Sequence, residues 1–240
     1  MTLEFIPIKT RIVMPPKDEV WDIIDSLEIR EGDIVFISSK ILAIHQGRCV
    51  KADEVDKEEL IKQNSTHHLP YEHRAGFRFN LAINENILIP NAGIDESNAN
   101  GYYILWPRDN DGLCREIRKH LALKHSIKNL GVVSTDSHTM PLRWGVTGIA
   151  IGLAGIQPTR DLRGVIDIFG RPMHATKVDI IDPLTSMAVL LMGETAETIP
   201  IVILRGYEGI EFDENGSMEG FKIAPEDDLY QPLLEVMRKN

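Results

Sequence analysis

The chain has 240 residues, 43% hydrophobic and 26% charged, so it can bury a core without disulfides. Its 26 basic residues against 36 acidic ones give a net charge of −10, which repels nucleic acid and argues against such a partner. An anionic substrate must then be met by local cations or by bound metal. Cys49 and Cys114 form neither a CxxC nor a Cys/His metal pattern, and their scatter suits a reducing compartment. The opening MTLEFIPIKTRIVMPP lacks a continuous apolar stretch and a small-residue cleavage site, and residues 145–156 are Gly-rich and too short for a membrane span. The expectation is a cytoplasmic protein without a membrane partner.

Residues 3–14 alternate apolar and polar and predict an opening strand, ended by Pro15-Pro16. A helix is predicted over 18–29, with Val20, Ile23, Ile24 and Leu27 on one face. After the turn Glu31-Gly32-Asp33, residues 34–37 form a buried strand that delivers Ser38-Ser39-Lys40 to its end. Residues 52–63 suit a surface helix. The following HHLPYEHR holds His67, His68 and His73, read as a solvated loop because no second ligand set of known spacing accompanies them.

Strands are predicted at 87–90 and 102–106, and a helix at 112–125 on the spacing of Leu113, Ile117, Leu121 and Leu123. A short strand at 131–134 ends at Thr135-Asp136-Ser137-His138. The glycines at 145, 148, 152 and 155 allow close backbone packing but form no phosphate-loop fingerprint. A helix at 180–192 and a strand at 200–204 follow. An acidic tail over 207–240 ends in an amphipathic helix around 229–237. Several strand pairs lack an intervening helix, which predicts an α+β fold of mixed sheets with packed helices. The whole of 1–240 reads as one unit, organised as one body or as two intertwined subdomains.

Acidic residues stand at the predicted strand ends. Asp95 follows ILIP through NAG, and Asp136 follows GVVS. With the Ser137 hydroxyl they are hard oxygen ligands suited to Mg²⁺ or Mn²⁺, although an Asp after a strand also serves as a turn former or helix cap. Arginines stand beside glycines at Arg163-Gly164, Gly170-Arg171 and Arg205-Gly206. With Lys40 and Arg143 they can supply a local positive field, and surface salt bridges explain any one of them equally well.

In order along the chain, these segments resemble the coenzyme F420-0:L-glutamate ligase family. NAGIDESN at 91–98 resembles its ANAGID-SN motif. Asp136-Ser137 with Pro141, Arg143 and Gly145 resembles DTxGRPxRxG, and AIGLAG at 150–155 resembles AIGVAG. Asp161-Leu162-Arg163-Gly164, Asp167, Gly170-Arg171 and Thr176 resemble its DYRG..D.-GR.L..T stretch. Asp182 through Gly193-Glu194, then Arg205-Gly206 and Pro225-Glu226-Asp227-Asp228-Leu229, complete the series.

The resemblance implies the family's own gamma-glutamyl ligase fold and a GTP- and metal-dependent ligation. The γ-phosphoryl group passes to a carboxylate of a deazaflavin coenzyme precursor, and the amine of L-glutamate attacks the resulting acyl phosphate. It implies one Mg²⁺ or Mn²⁺ on Asp95 and Asp136, and a second on Ser137 and Glu194, where the family has Thr and Gln. It implies nucleotide contacts from Ser38, Ser39, Lys40 and Asn98 and from Met192, Gly193, Glu194 and Glu197. Lys40, Arg143 and Arg163 are then the candidate catalytic cations, and a homodimer is expected.

Three departures touch substrate binding. Ile44 stands where the family has a second lysine, TRIVM at 10–14 replaces GIPEI and brings in Arg11, and His138-Thr139-Met140 replaces FGR. The acceptor is therefore expected to be coenzyme F420-0 or a related carboxylate such as a folate. A non-catalytic nucleotide- or metal-binding regulator and a metal-dependent phosphohydrolase are the alternatives.

Overall fold

The computed structural model describes residues 2–69 and 80–239. In chain order its elements are β1 (Glu4–Ile8), α1 (Trp21–Asp25), β2 (Asp33–Ser38), α2 (Ser39–His45), β3 (Cys49–Lys51), α3 (Lys57–Gln63) and β4 (His67–His68). Next come β5 (Leu81–Asn84), β6 (Ile87–Pro90), a 3-10 turn (Asn91–Gly93), β7 (Tyr102–Ile104), α4 (Asn110–His125), β8 (Leu130–Thr139) and β9 (Val146–Ala154). The last are β10 (Thr159–Asp161), β11 (Lys177–Asp179), α5 (Ile181–Met192), β12 (Ile201–Arg205), α6 (Gln231–Leu234) and β13 (Arg238–Lys239). The fold is α+β.

A five-stranded sheet of order β1-β12-β2-β8-β9 forms the centre, antiparallel throughout except for the parallel pair β2–β8. Both of its faces are covered, which is why β2 reads as an unbroken apolar run rather than an alternation. Val35 and Ile37 pack with Val132, Ile201 and Ile203 against Ile24, Leu42, Ile117 and Leu121 of α1, α2 and α4. Ile34 and Phe36 pack with Val133, Val202 and Leu204 against Ile181, Ala188 and Met192 of α5. A four-stranded sheet, β13-β4-β5-β6, and the pairs β3–β7 and β10–β11 complete the set.

Close packing on β9 bears out the reading of its glycines. A Cβ on Gly148 would lie 2.7 Å from the Thr185 carbonyl oxygen of α5, and one on Gly152 would lie 2.4 Å from Asn110 Cβ of α4. The β8–β9 ladder shifts register between Ser134 and Thr135. Beside this bulge, the Ala150 N–H donates to Asp182 Oδ1 at 2.9 Å, so the break in the ladder is satisfied from α5.

Several boundaries differ from the sequence reading. β1 stops at Ile8, where its pairing with β12 ends, and 9–14 runs on as non-sheet chain. α1 is only Trp21–Asp25, although Val20, Ile23, Ile24 and Leu27 are all buried as predicted. α3 starts at Lys57 because Asp56 caps it, accepting from the Glu59 N–H at 3.0 Å. Leu123 lies on the solvent side of α4 and is 80% exposed. β8 does not end at Ser134 but continues to Thr139, because β9 supplies a ladder as far as Thr139↔Val146. His67 and His68 stand in β4, between β5 and β13, rather than in a solvated loop; His73 lies outside the described residues. The C-terminal helix is only Gln231–Leu234 and buries none of its residues. Among the described residues no helix is long and apolar enough to cross a membrane.

Candidate active site

A cavity of about 590 Å³ opens where the C-terminal end of β2 meets the turn after β6, the middle of β8 and the 192–200 segment. β2 runs straight into α2 without a loop, which fixes Ser38, Ser39 and Lys40 on the cavity wall. The Ser38 N–H donates to the Pro200 carbonyl at 2.9 Å, which ties the end of β2 to the 192–200 segment. The cavity is lined by Ser38, Ser39, Lys40, Asp95, Asn98, Asp136, Ser137, Met192, Gly193, Glu194 and Glu197. The structure thus brings together residues from distant parts of the chain that the sequence reading had selected.

Lys40 Nζ lies 2.6 Å from Asp95 Oδ2 and donates to the Ser97 carbonyl at 2.9 Å. Asp95 Oδ1 accepts from both the N–H and the hydroxyl of Ser97, each at 2.8 Å. Burial works against an ionised Asp95, but the Lys40 charge and these hydrogen bonds outweigh it and hold the carboxyl below its ordinary value.

Asp136 lies within β8, just past the bulge. Its Oδ2 accepts from Trp106 Nε1–H at 2.5 Å and its Oδ1 from the Ser137 N–H at 2.8 Å. Burial pushes it up to about 7; the Trp106 bond opposes that shift and the Asp95 charge adds to it. Burial also raises Glu194, opposed by Lys40 and reinforced by Asp95 and Glu197.

Trp106, read from the sequence only as a strand end, lines the cavity and holds Asp136. It is 4% exposed and packs with Ile89, Ile149 and Ile151. Gly93 lies against its indole: a Cβ there would fall 2.2 Å from Nε1, and φ is +76°. The glycine of NAGID therefore makes room for the indole. The available signal was that a buried tryptophan needs a partner for its N–H.

Also lining the cavity, Asn98 donates from Nδ2 to the Thr195 carbonyl at 2.8 Å. Glu197 accepts from the Thr195 N–H at 2.8 Å and from its hydroxyl at 2.9 Å. These bonds shape the 194–198 turn.

Cations are scarce. Among the described residues, Lys40 and Arg11 are the basic side chains lining the cavity. Arg11 is held by Asp18 at 2.7 Å and Asp22 at 2.8 Å, which raises its pKa and leaves it little free charge. Ile44 lines the cavity but belongs to the apolar core. Arg143 is exposed on the β8–β9 hairpin and Arg163 is exposed and paired with Asp161 at 2.5 Å; neither lines the cavity. Arg205 grips the buried Asp33 with two bonds at 2.9 and 2.7 Å, at the opposite end of β2. The arginines named as a source of local positive field, at 143, 163, 171 and 205, thus do not line this chain's cavity, and His138, Thr139 and Met140 are also outside its lining.

By donor chemistry alone, Asp95, Asp136, Glu194 and the Ser137 hydroxyl bring oxygen donors of the type a hard divalent cation takes to one cavity, and the Asp95 charge disfavours ionisation of Asp136 and Glu194. Among the described residues, no group of three His, Cys, Asp or Glu side chains is gathered as a metal site, and the cation on Asp95 is the Lys40 ammonium.

The family model described as F420-0:Gamma-glutamyl ligase matches residues 7–206. The chain belongs to the F420-0:gamma-glutamyl ligase family. It is similar to proteins named coenzyme F420:L-glutamate ligase from three archaea. It is 32% identical to that of Methanopyrus kandleri over 85% of this chain and 87% of the relative. It is 29% identical to that of Archaeoglobus fulgidus over 98% and 99%, and 33% identical to that of Methanocaldococcus jannaschii over 77% and 80%. The protein is an enzyme of the ligase class, and its cavity holds the family-like segments 91–98 and 136–137 together.

Proposed function

We propose that this ligase joins the amine of L-glutamate to a carboxylate acceptor as an amide, with GTP activating the acceptor as an acyl phosphate. The acceptor is coenzyme F420-0, as the family's description suggests, or a related molecule such as a folate. A free carboxylate is a poor electrophile, so transfer of the γ-phosphoryl group precedes attack by the glutamate amine, and phosphate leaves as the amide forms. Phosphoryl transfer depends on positioning and charge neutralisation. Asp95, Asp136, Ser137 and Glu194 would hold Mg²⁺ or Mn²⁺, which would neutralise phosphate oxygens. Lys40 supplies the chain's own positive charge, and Asn98 with the 192–197 segment shapes the nucleotide side.

The observation that carries this reading is the meeting of Lys40, Asp95, Asp136, Ser137 and Glu194 in one cavity. A homodimer is part of the proposal. Leu142 and Trp144, 97% and 98% exposed, stand on the hairpin that carries Arg143, and Ile168 and Phe169 are exposed on the segment after Arg163. Apolar patches of this kind mark association surfaces.

A second reading, a non-catalytic regulator, is favoured by the apolar Ile44 and by the engagement of Arg11 with Asp18 and Asp22. Phosphate release separates the two. The protein is incubated with GTP or ATP and Mg²⁺ or Mn²⁺, with and without L-glutamate and coenzyme F420-0, and the acceptor is weighed by mass spectrometry. Release that requires both substrates, with a one-glutamate mass gain, supports the ligase. Release without either indicates a phosphohydrolase. Nucleotide binding without turnover across a panel of carboxylates supports the regulator.

A further inference from the structure

Trp106 combines three features. Its indole is nearly inaccessible, it is clamped on the β6 side by the Gly93 backbone and on the β9 side by Ile149 and Ile151, and its N–H points to Asp136 Oδ2 at 2.5 Å. An indole N–H is donor only, and a carboxylate offers about four lone-pair sites. Trp106 and the Ser137 N–H take one on each Asp136 oxygen. With donors fixed on both oxygens, and one donor immobilised by packing, the carboxylate cannot swing.

We propose that Trp106 is a positioning residue that fixes Asp136 for a small divalent cation, Mg²⁺ or Mn²⁺, and sets the preference for such ions over Ca²⁺. The inference rests on the reading of Asp136 as a cation ligand. Mg²⁺ demands near-ideal octahedral geometry at short distance, whereas Ca²⁺ accepts more ligands, longer bonds and two-oxygen carboxylate contacts. A preset carboxylate suits the first and hampers the second. Partners that orient a ligand from behind commonly change metal affinity 10–100-fold.

The test is Trp106→Phe, which keeps an aromatic ring and removes the N–H. Mn²⁺, Mg²⁺ and Ca²⁺ are titrated into the wild type and the variant without nucleotide, followed by binding heat and by the Mn²⁺ spin-resonance signal. The expected result is a loss of Mn²⁺ affinity of about 10–100-fold with a smaller loss for Ca²⁺. Unchanged Mn²⁺ affinity, or equal loss for Mn²⁺ and Ca²⁺, overturns the inference while leaving the cation site standing. A wild type that binds none of the three removes the cation site itself, and the inference with it. Should the variant fail to fold, the wild-type indole N–H resonances decide, assigned with Trp21→Phe and Trp144→Phe. A shift of the Trp106 signal as Mg²⁺ saturates supports the role; a signal unmoved at saturation overturns it.

Discussion

Lys40 Nζ sits 2.6 Å from Asp95 Oδ2, and its charge also favours the ionised forms of Asp136 and Glu194. One ammonium thus holds a carboxylate cavity together. Lys40→Met should raise all three carboxyls and lower metal-free stability at pH 8 by about 1–2 kcal/mol, a modest figure because the pair is partly solvated. Saturating Mn²⁺ should restore more stability to the variant than to the wild type, since it would replace the missing charge. GTP affinity should fall at the same time. Thermal unfolding with and without Mn²⁺, and nucleotide titration, measure these effects; equal melting curves for both proteins would assign Lys40 no electrostatic role.

Asp136 and Asp182 both titrate near 7, each chiefly because burial penalises the charge. Their folded values lie above the free-aspartate value near 3.8. The stability linked to each is therefore fully present below about 3.8 and is lost as pH rises through about 7. Metal-free protein should weaken between about pH 4 and 7. Asp136→Asn should reduce that slope, leaving the Asp182 part, and should weaken Mn²⁺ binding sharply. The difference between wild type and variant is the quantity to read. Denaturant unfolding across pH gives it, and parallel slopes would mean that Asp136 does not titrate there.

The legibility of the chain follows how local each signal is. β2 and α4 were readable because IVFI and the Leu113–Ile117–Leu121 spacing are set by the core they face. The polar TDSHT of β8 carried no strand signal; its ladder comes from β9, and such pairing is written in neither strand alone. The cavity residues near 38–40, 95 and 136–137 are legible as the polar ends of apolar runs, and the family-like motifs at 91–98 and 136–137 add to that signal. Trp106 was not, because its role depends on a glycine thirteen positions earlier and a carboxylate thirty positions later. The arginines at 163 and 205 stand beside glycines, a pattern that suits either a local positive field or surface salt bridges, and each is matched to an aspartate.

Gly93 is the contact through which that arrangement can be broken. Its φ of +76° disfavours any side chain, and a Cβ would enter the Trp106 ring. Gly93→Ala should cost about 2–4 kcal/mol, more than the backbone conformation alone, because the indole must move. Trp106 fluorescence should shift to longer wavelength as the ring gains water. An equally stable variant with an unaltered spectrum would show that the ring and the glycine are not tightly packed.

The last prediction concerns the hairpin between β8 and β9. Leu142 and Trp144 are almost fully exposed there, on the segment that carries Arg143 and follows His138-Thr139-Met140. None of these residues lines the cavity of its own chain. In the proposed homodimer this hairpin meets the second copy, because a water-exposed tryptophan and leucine gain about 25 cal/mol per Å² of apolar area on burial. Trp144→Glu places a charge in that contact and should shift the sedimentation of the protein from dimer to monomer. Its core is untouched, so the unfolding temperature of the chain at high dilution should stay near that of the wild type. Ligase turnover should fall with dimer content if the hairpin completes the acceptor side. A wild type that sediments as a monomer at micromolar concentration would remove the dimer from the proposal and leave the hairpin without an assigned partner.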